Sequence, residues 1–214
     1  MTEDLIFYTN PMSRGQIARW MLEEVGQPYH TEVLQYASSM KAPAYLAINP
    51  MGKVPAIAHR GVVVTEVAAI CAYLADAFPE AGLAPPPGDP ARGPYYRWLF
   101  FGAGPLEAAT SNRAAKLDAG EQMSRMMGYG TYDIAATVIE AAVEAALDGP
   151  GYLTAERFTA ADLYVGSQLG FCMRFGMLER RPAFERFVAK LDERPARQRA
   201  QAIDEALIAQ MQKA

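Results

Sequence analysis

Cysteine and histidine are scarce in this chain of 214 residues, with two of each. Cys71 and Cys172 form no C-x-x-C pair and no metal-spaced cluster, and both fall inside apolar helical patterns. They read as buried thiols of a reducing compartment, so the cytoplasm is the expected location. His30 and His59 stand far apart in strand-like segments, and with so few ligand types clustered no metal site is expected. No stretch approaches the roughly 20 consecutive apolar residues of a membrane helix, so no membrane association is expected. No block of Lys and Arg appears. With a formal net charge of -4 and a pI near 5.3, nucleic acid is not an expected partner. The opening "MTEDLIFYTN" puts acids where a secretory leader needs bases, which argues against one. What remains is an ordinary globular composition, 51% hydrophobic and 21% charged, with enough chain for one large domain or two modest ones.

The texture of the chain divides it. To about residue 78 strand and helix signals alternate. "LIFYT" (Leu5–Thr9) is a short apolar strand, and "NPMSRG" makes a turn. A helix then carries Ile17, Met21, Leu22 and Val25 on one face until "VGQP", where Gly26 suits a left-handed cap and Pro28 cannot continue the helix. "YHTEVL" alternates as a second strand, giving a β-α-β unit with a parallel pair. After a polar, weakly helical stretch, "AIAH" and "VVVT" flank "RG" as an antiparallel hairpin. From Glu66 the apolar steps Val67, Ile70, Cys71, Leu74 and Phe78 are helical. The order β-α-β then β-β-α is that of a thioredoxin-like domain over residues 1–78. The proline-dense "PEAGLAPPPGDPARGP" reads as a linker, residues 79–93. An all-α helical domain is expected over residues 94–214. Within it Gly104-Pro105 should interrupt a helix, and Thr159 with Asp162 make a capping-box variant. The last helices, around "RPA", read as charged and mostly surface-facing.

Three turns carry candidate chemistry. In "NPMGKVPAI" proline stands at the mouth of a strand, where it cannot donate to the ladder. If the Val54–Pro55 bond is cis, Val54 turns its own N–H and C=O outward as a short open edge. That edge can pair with an extended peptide-like ligand, beside the cation of Lys53. An edge proline that merely blocks aggregation is the simpler reading. Ser13 in "NPMSRG" sits at a strand-to-helix turn. Free amides and the helix dipole there favour an anion, so a thiol hydrogen-bonded by Ser13 would ionise near neutral pH. A helix cap is the simpler reading of Ser13. Thr65 and Glu66 start the next helix, where the acid can hold an ammonium while the amide of Val67 takes a carboxylate. Cap and dipole complement suffice as a structural account. The inferred topology brings all three turns to one end of one sheet, where open β/α sheets bind ligands. An ammonium and a carboxylate at one end, a peptide backbone, a thiol and a second carboxylate describe glutathione.

The residues resemble a cytosolic glutathione transferase of the bacterial and fungal serine type along nearly the whole chain. The resemblance lies in "YTNPMSRGQIARWMLEEVGQPY", "NPMGKVPAI", "TEVAAICAYLADAFP" and "FTAADLYVGSQL", in order and at the family's spacings. It implies a thioredoxin-like domain, a helical domain with a hydrophobic substrate pocket, and a homodimer. It implies Val54 pairing with the cysteinyl backbone of glutathione, Lys53 near its glycyl carboxylate, and Glu66 and Val67 at the γ-glutamyl end. Ser13 then activates the thiol. Val67 stands where many members have serine. A shift of register would put Thr9, Asn10 or Arg14 at the sulfur instead. "NPMSRG" holds no cysteine or tyrosine, which disfavours mixed-disulfide chemistry. Tyr8, on a buried strand, reads as core.

The second substrate is less legible. Phe100, Phe101 and Gly104 fall on the helix expected to face the site, and Tyr129 and Tyr132 near the start of the next. Phe101, Gly104 and Tyr129 are the candidate pocket residues, with plain core as the alternative. The expected activity is conjugation of the glutathione thiolate to a small hydrophobic electrophile, with glutathione as co-substrate and no metal. A glutathione-dependent peroxidase or disulfide reductase, and a non-catalytic binding protein on the same fold, remain as alternatives.

Overall fold

In the computed structural model, residues 5–117, 120–154 and 157–213 are described. The chain forms two compact units. One runs through Gly82 and takes in the chain again from Glu193; the other spans Leu83–Asp192.

The first unit is built on a four-stranded mixed sheet in the order β2-β1-β3-β4. Its strands are β1 (Ile6–Thr9), β2 (His30–Val33), β3 (Ala56–His59) and β4 (Val62–Thr65). β1 pairs parallel with β2 and antiparallel with β3, and β3 pairs antiparallel with β4. The short apolar runs become strands because Phe7, Ala56 and Ile57 are wholly buried. The hairpin between β3 and β4 closes on Arg60 and Gly61 at φ 51° and 77°, both left-handed, as a two-residue turn between twisted strands requires. α1 (Gly15–Val25) follows β1 and ends at Gly26 with φ 73°. A short helix α2 (Pro43–Leu46) precedes β3, and α3 (Val67–Ala77) follows β4. α1 buries Ile17, Trp20, Met21 and Leu22 and packs against α3.

The second unit is helical: α4 (Arg92–Phe101), α5 (Glu107–Ala114), α6 (Gly120–Ser124), α7 (Tyr132–Asp148), α8 (Ala160–Arg174) and α9 (Pro182–Asp192). The expected interruption at Gly104-Pro105 is a π-helical turn, Gly102–Leu106, joining α4 to α5. Pro105 has no N–H to give to the carbonyl one α-turn back, and the wider turn carries the chain past it. Thr159 and Asp162 form the expected capping box at the start of α8. Asp162 accepts from the Thr159 amide at 2.9 Å and hydroxyl at 2.8 Å and from the Leu153 amide at 2.6 Å.

One expectation is corrected. The helical domain does not extend to residue 214, because α10 (Pro195–Met211) packs on α1 in the first unit. The reason is polar. Arg19, on the otherwise apolar face of α1, is 1% exposed, and its Nε donates to Asp204 of α10 at 2.7 Å. Arg194 makes a two-pronged pair with Glu24 at 2.6 and 2.8 Å. The last helix is therefore not merely a charged surface element.

Candidate active site

Strand register fixes where the three turns fall. Tyr8 of β1 pairs with Ala56 of β3, and Ala56 pairs with Thr65 of β4. β1 leaves that row toward Ser13, β3 enters it from Val54, and β4 leaves it toward Glu66. Ser13, Val54 and Glu66 thus stand at one end of the sheet, as the topology read from sequence requires.

The Val54–Pro55 bond is cis. Val54 is half-buried, and its amide and carbonyl take part in no strand pairing. The loop that presents it is held from behind. Tyr45 Oη and Asn49 Nδ2 both donate to the Lys53 carbonyl, at 2.6 and 2.7 Å. Asn49 Oδ1 accepts from the Met51 amide at 3.1 Å, and Lys41 Nζ donates to the Gly52 carbonyl at 2.8 Å. Burial raises the Tyr45 phenol above its ordinary pKa, so it keeps the proton it donates. Lys53 itself is exposed. Sequence reasoning missed Tyr45 and Lys41, which no local pattern marks; Asn49 carried a signal as a turn former that bonds its own backbone two residues on.

Glu66 is the N-cap of α3 and is exposed, with φ 65° and ψ 121°. Thr65 ends β4 and is not the cap. For a residue with a Cβ this backbone is costly, about 1–3 kcal/mol. The strain turns the chain sharply from β4 into α3. The amides of Val67 and the two residues after it have no acceptor within the helix, because the first turn of any helix leaves its N–H groups unpaired.

At the third turn the hydroxyl of Ser13 is already engaged. It donates to the Asn10 carbonyl at 2.7 Å and accepts from the Gly15 amide at 2.9 Å. Ser13 lies one residue before Arg14, the N-cap of α1, which makes no side-chain cap. Of the alternatives to Ser13, Thr9 and Asn10 are wholly buried. Asn10 spends its amide on the Leu34 carbonyl and the Met12 amide. Thr9 lies beneath Gly15, so close that a Cβ on Gly15 would fall 2.0 Å from Thr9 Oγ1. Ser13 and Arg14 are the half-exposed residues of the turn.

The candidate pocket residues of the second unit have different surroundings. Tyr129 lines a cavity with Asn112, Arg113 and Tyr132. Phe101 is half-buried with its ring edge-on to Trp98, 5.6 Å between centroids. Gly104 is exposed, with open space around it. Neither lines that cavity. Both cysteines are buried, and burial pushes the Cys71 thiol up to about 12. Among the described residues no three His, Cys, Asp or Glu side chains gather as a metal would need, and no helix is long and apolar enough to cross a membrane.

Comparison with known proteins bears on the same region. Residues 12–77 match the family described as "Glutathione S-transferase, N-terminal domain". Protein LigF of Sphingobium is 58% identical, over 43 residues that make up 20% of this chain and 17% of that protein. Glutathione S-transferase GST-4.5 of Xanthomonas campestris pv. campestris is 28% identical over 176 residues, 79% of this chain and 83% of that one. The crystal structure of a glutathione transferase from Methylococcus capsulatus superposes with a TM-score of 0.76 at 28% identity, covering 94% of this chain and 99% of that one. The domain match falls on the unit that carries the three turns, and along most of its length the chain is similar to proteins named glutathione S-transferases: residues 12–77 form a glutathione S-transferase N-terminal domain.

Proposed function

We propose that this transferase conjugates the thiolate of glutathione to a small hydrophobic electrophile. The observation that carries the reading is the unpaired backbone edge of Val54, at the sheet end shared by Ser13 and Glu66. A short open edge suits a peptide backbone, and each flanking turn suits one charged end of it. Val54 N–H and C=O pair with the cysteinyl residue, and Lys53 faces the glycyl carboxylate. Glu66 takes the γ-glutamyl ammonium, and the Val67 amide takes its carboxylate.

Ser13 is assigned to the sulfur. To reach it the hydroxyl must swing its proton from the Asn10 carbonyl, giving up a neutral hydrogen bond worth about 1 kcal/mol. A bond to a thiolate, worth about 1.5–3 kcal/mol, offsets that cost. The exchange favours the ionised thiol, since the neutral form offers the weaker acceptor. One observation supports a second role for the same residue: two hydrogen bonds tie Ser13 into the turn, so it also shapes the backbone that receives the ligand.

Phe101, Gly104 and Tyr129 are proposed as electrophile contacts, Tyr129 with the most support because it lines a cavity. A homodimer in the cytoplasm is proposed with them. Exposed Met51, Val62 and Val63 in one unit and Phe100 in the other are apolar surface of the kind that association covers.

The test is turnover of chlorodinitrobenzene with glutathione, in which a C–S bond forms and chloride leaves. Conjugation that falls on Ser13→Ala substitution supports the assignment. Glutathione binding with no conjugation, but with hydroperoxide reduction, contradicts it.

A further inference from the structure

Gly15 and Arg19 lie one helical turn apart, on the face by which α1 rests on β1. Beneath Gly15 is Thr9. The Arg19 guanidinium stands 5.1 Å over the ring of Phe7, two residues back on the same face of the strand. Gly15 also carries the amide that donates to Ser13 Oγ at 2.9 Å. The position of α1 along β1 therefore sets where that amide, and with it the Ser13 hydroxyl, stands.

The apolar face of α1 does not fix that position. Burial of Ile17, Met21 and Leu22 holds the helix on the sheet, but hydrophobic contact is non-directional. The planar fork of Arg19 is directional, and it is engaged on two sides. Nη1 donates to Tyr29 Oη at 3.1 Å and to Thr31 Oγ1 of β2 at 3.3 Å, while Nε donates to Asp204 of α10 at 2.7 Å. The other polar links from the last helical segment fall farther from the Ser13 turn. Arg197 lies 5.4 Å from the Trp20 ring centroid, Arg199 Nε donates to Glu23 at 3.1 Å, and Arg194 Nε donates to Glu24 at 2.6 Å. For stability alone, well-packed apolar residues would serve as well in place of a buried pair. What Arg19 and Asp204 add is geometry.

We propose that Arg19 and Asp204 are positioning residues for thiol ionisation. Their hydrogen bond sets α1 along β1, so that the Gly15 amide holds Ser13 Oγ where it meets the glutathione sulfur. The premise is the assignment of Ser13 to that sulfur.

Thiolate ultraviolet absorption of bound glutathione, followed against pH in the full chain, tests this. Arg19→Met with Asp204→Leu removes both charges together and leaves the local net charge unchanged. The double variant should bind glutathione while the thiol pKa rises by about 0.5–1 pH unit, part of the worth of one hydrogen bond to a thiolate. Arg19→Lys keeps the charge and loses the planar fork. It should shift the pKa in the same direction, and it decides the matter where the double variant does not fold. Arg199→Gln, toward the other end of α1, should leave the thiol pKa as in the parent. A parental pKa in the double variant, or in Arg19→Lys where the double variant does not fold, overturns the proposal. An equal rise in Arg199→Gln also overturns it, because any loosening of α10 would then suffice. The parent protein keeps the two readings apart. If it binds glutathione without ionising it, thiol activation falls and this inference with it; if it ionises the thiol and the variants do the same, this inference falls alone.

Discussion

Arg19 and Asp204 lie 185 positions apart in the chain and share a 2.7 Å charged hydrogen bond in the interior of the first unit. Arg19 Nη1 also donates to Tyr29 Oη at 3.1 Å and to Thr31 Oγ1 at 3.3 Å, while Nη2 is buried without a partner. Burial raises the Asp204 carboxyl above its ordinary pKa despite the guanidinium beside it. Removing one partner from such a pair strands the other charge, at a cost of about 3–5 kcal/mol. Asp204→Ala should therefore destabilise the protein by that order in denaturant melts. The joint replacement Arg19→Met with Asp204→Leu should recover most of the loss. A double variant no more stable than the single would show that α10 is held by something other than this pair.

Glu66 makes the opposite kind of prediction. Its left-handed backbone, φ 65°, is one that glycine adopts without a Cβ penalty. Glu66→Gly should be neutral or gain up to about 1 kcal/mol in thermal stability, while glutathione affinity falls. Glu66→Gln should keep the strain, lose the charge, and weaken glutathione less than Glu66→Gly. If Glu66→Gly binds glutathione as the parent does, the carboxylate has no part in the site.

Gly15 is where two elements touch. With Thr9 Oγ1 2.0 Å from the position a Cβ would take, and Thr9 wholly buried, Gly15→Ala overpacks the junction of β1 and α1. A loss of about 1–3 kcal/mol is expected. Thr9→Ala alone should be nearly neutral, because the hydroxyl it removes has no hydrogen-bond partner. It should also relieve much of the Gly15→Ala defect. Additive losses in the double variant would contradict the contact.

Glu179 in the second unit gives a pH signature. Burial alone would raise its carboxyl, but hydrogen bonds from Tyr132, Arg181 and Arg113 hold it down at about 2. Its folded-state pKa lies below the ordinary 4.5. The stability it adds is therefore fully present above about pH 4.5 and is lost as pH falls toward about 2. The difference in melting temperature between the parent and Glu179→Gln should shrink across that window and vanish at its acid end. A difference that stays constant with pH would mean the carboxylate's charge contributes nothing.

Much of this was legible in the sequence where the signal is local. The hairpin follows from "RG" between two short apolar runs, since left-handed backbone at both turn residues is what the twisted strands demand. The capping box follows from Thr159 and Asp162 three residues apart. The shared sheet end of Ser13, Val54 and Glu66 follows from element order alone. What escaped is long-range or side-chain-deep. A buried arginine in an apolar helix face gives no hint of a partner 185 residues on, so the pattern of the last helix does not show that it packs on α1. The props behind Lys53, Tyr45 and Asn49, act through one carbonyl that no pattern marks. Phe101, Gly104 and Tyr129 looked alike as helix-borne pocket residues, yet only the surrounding packing separates Tyr129, on a cavity wall, from the other two.

The central claim is that the first unit binds glutathione and ionises its thiol. Titration calorimetry of the purified chain with glutathione, in two buffers of different ionisation enthalpy, tests it most directly. Binding should release a proton, close to one per site near neutral pH, and that release should fall in Ser13→Ala while binding persists. Binding without proton release would contradict thiol activation, and no binding at all would contradict the account of the site.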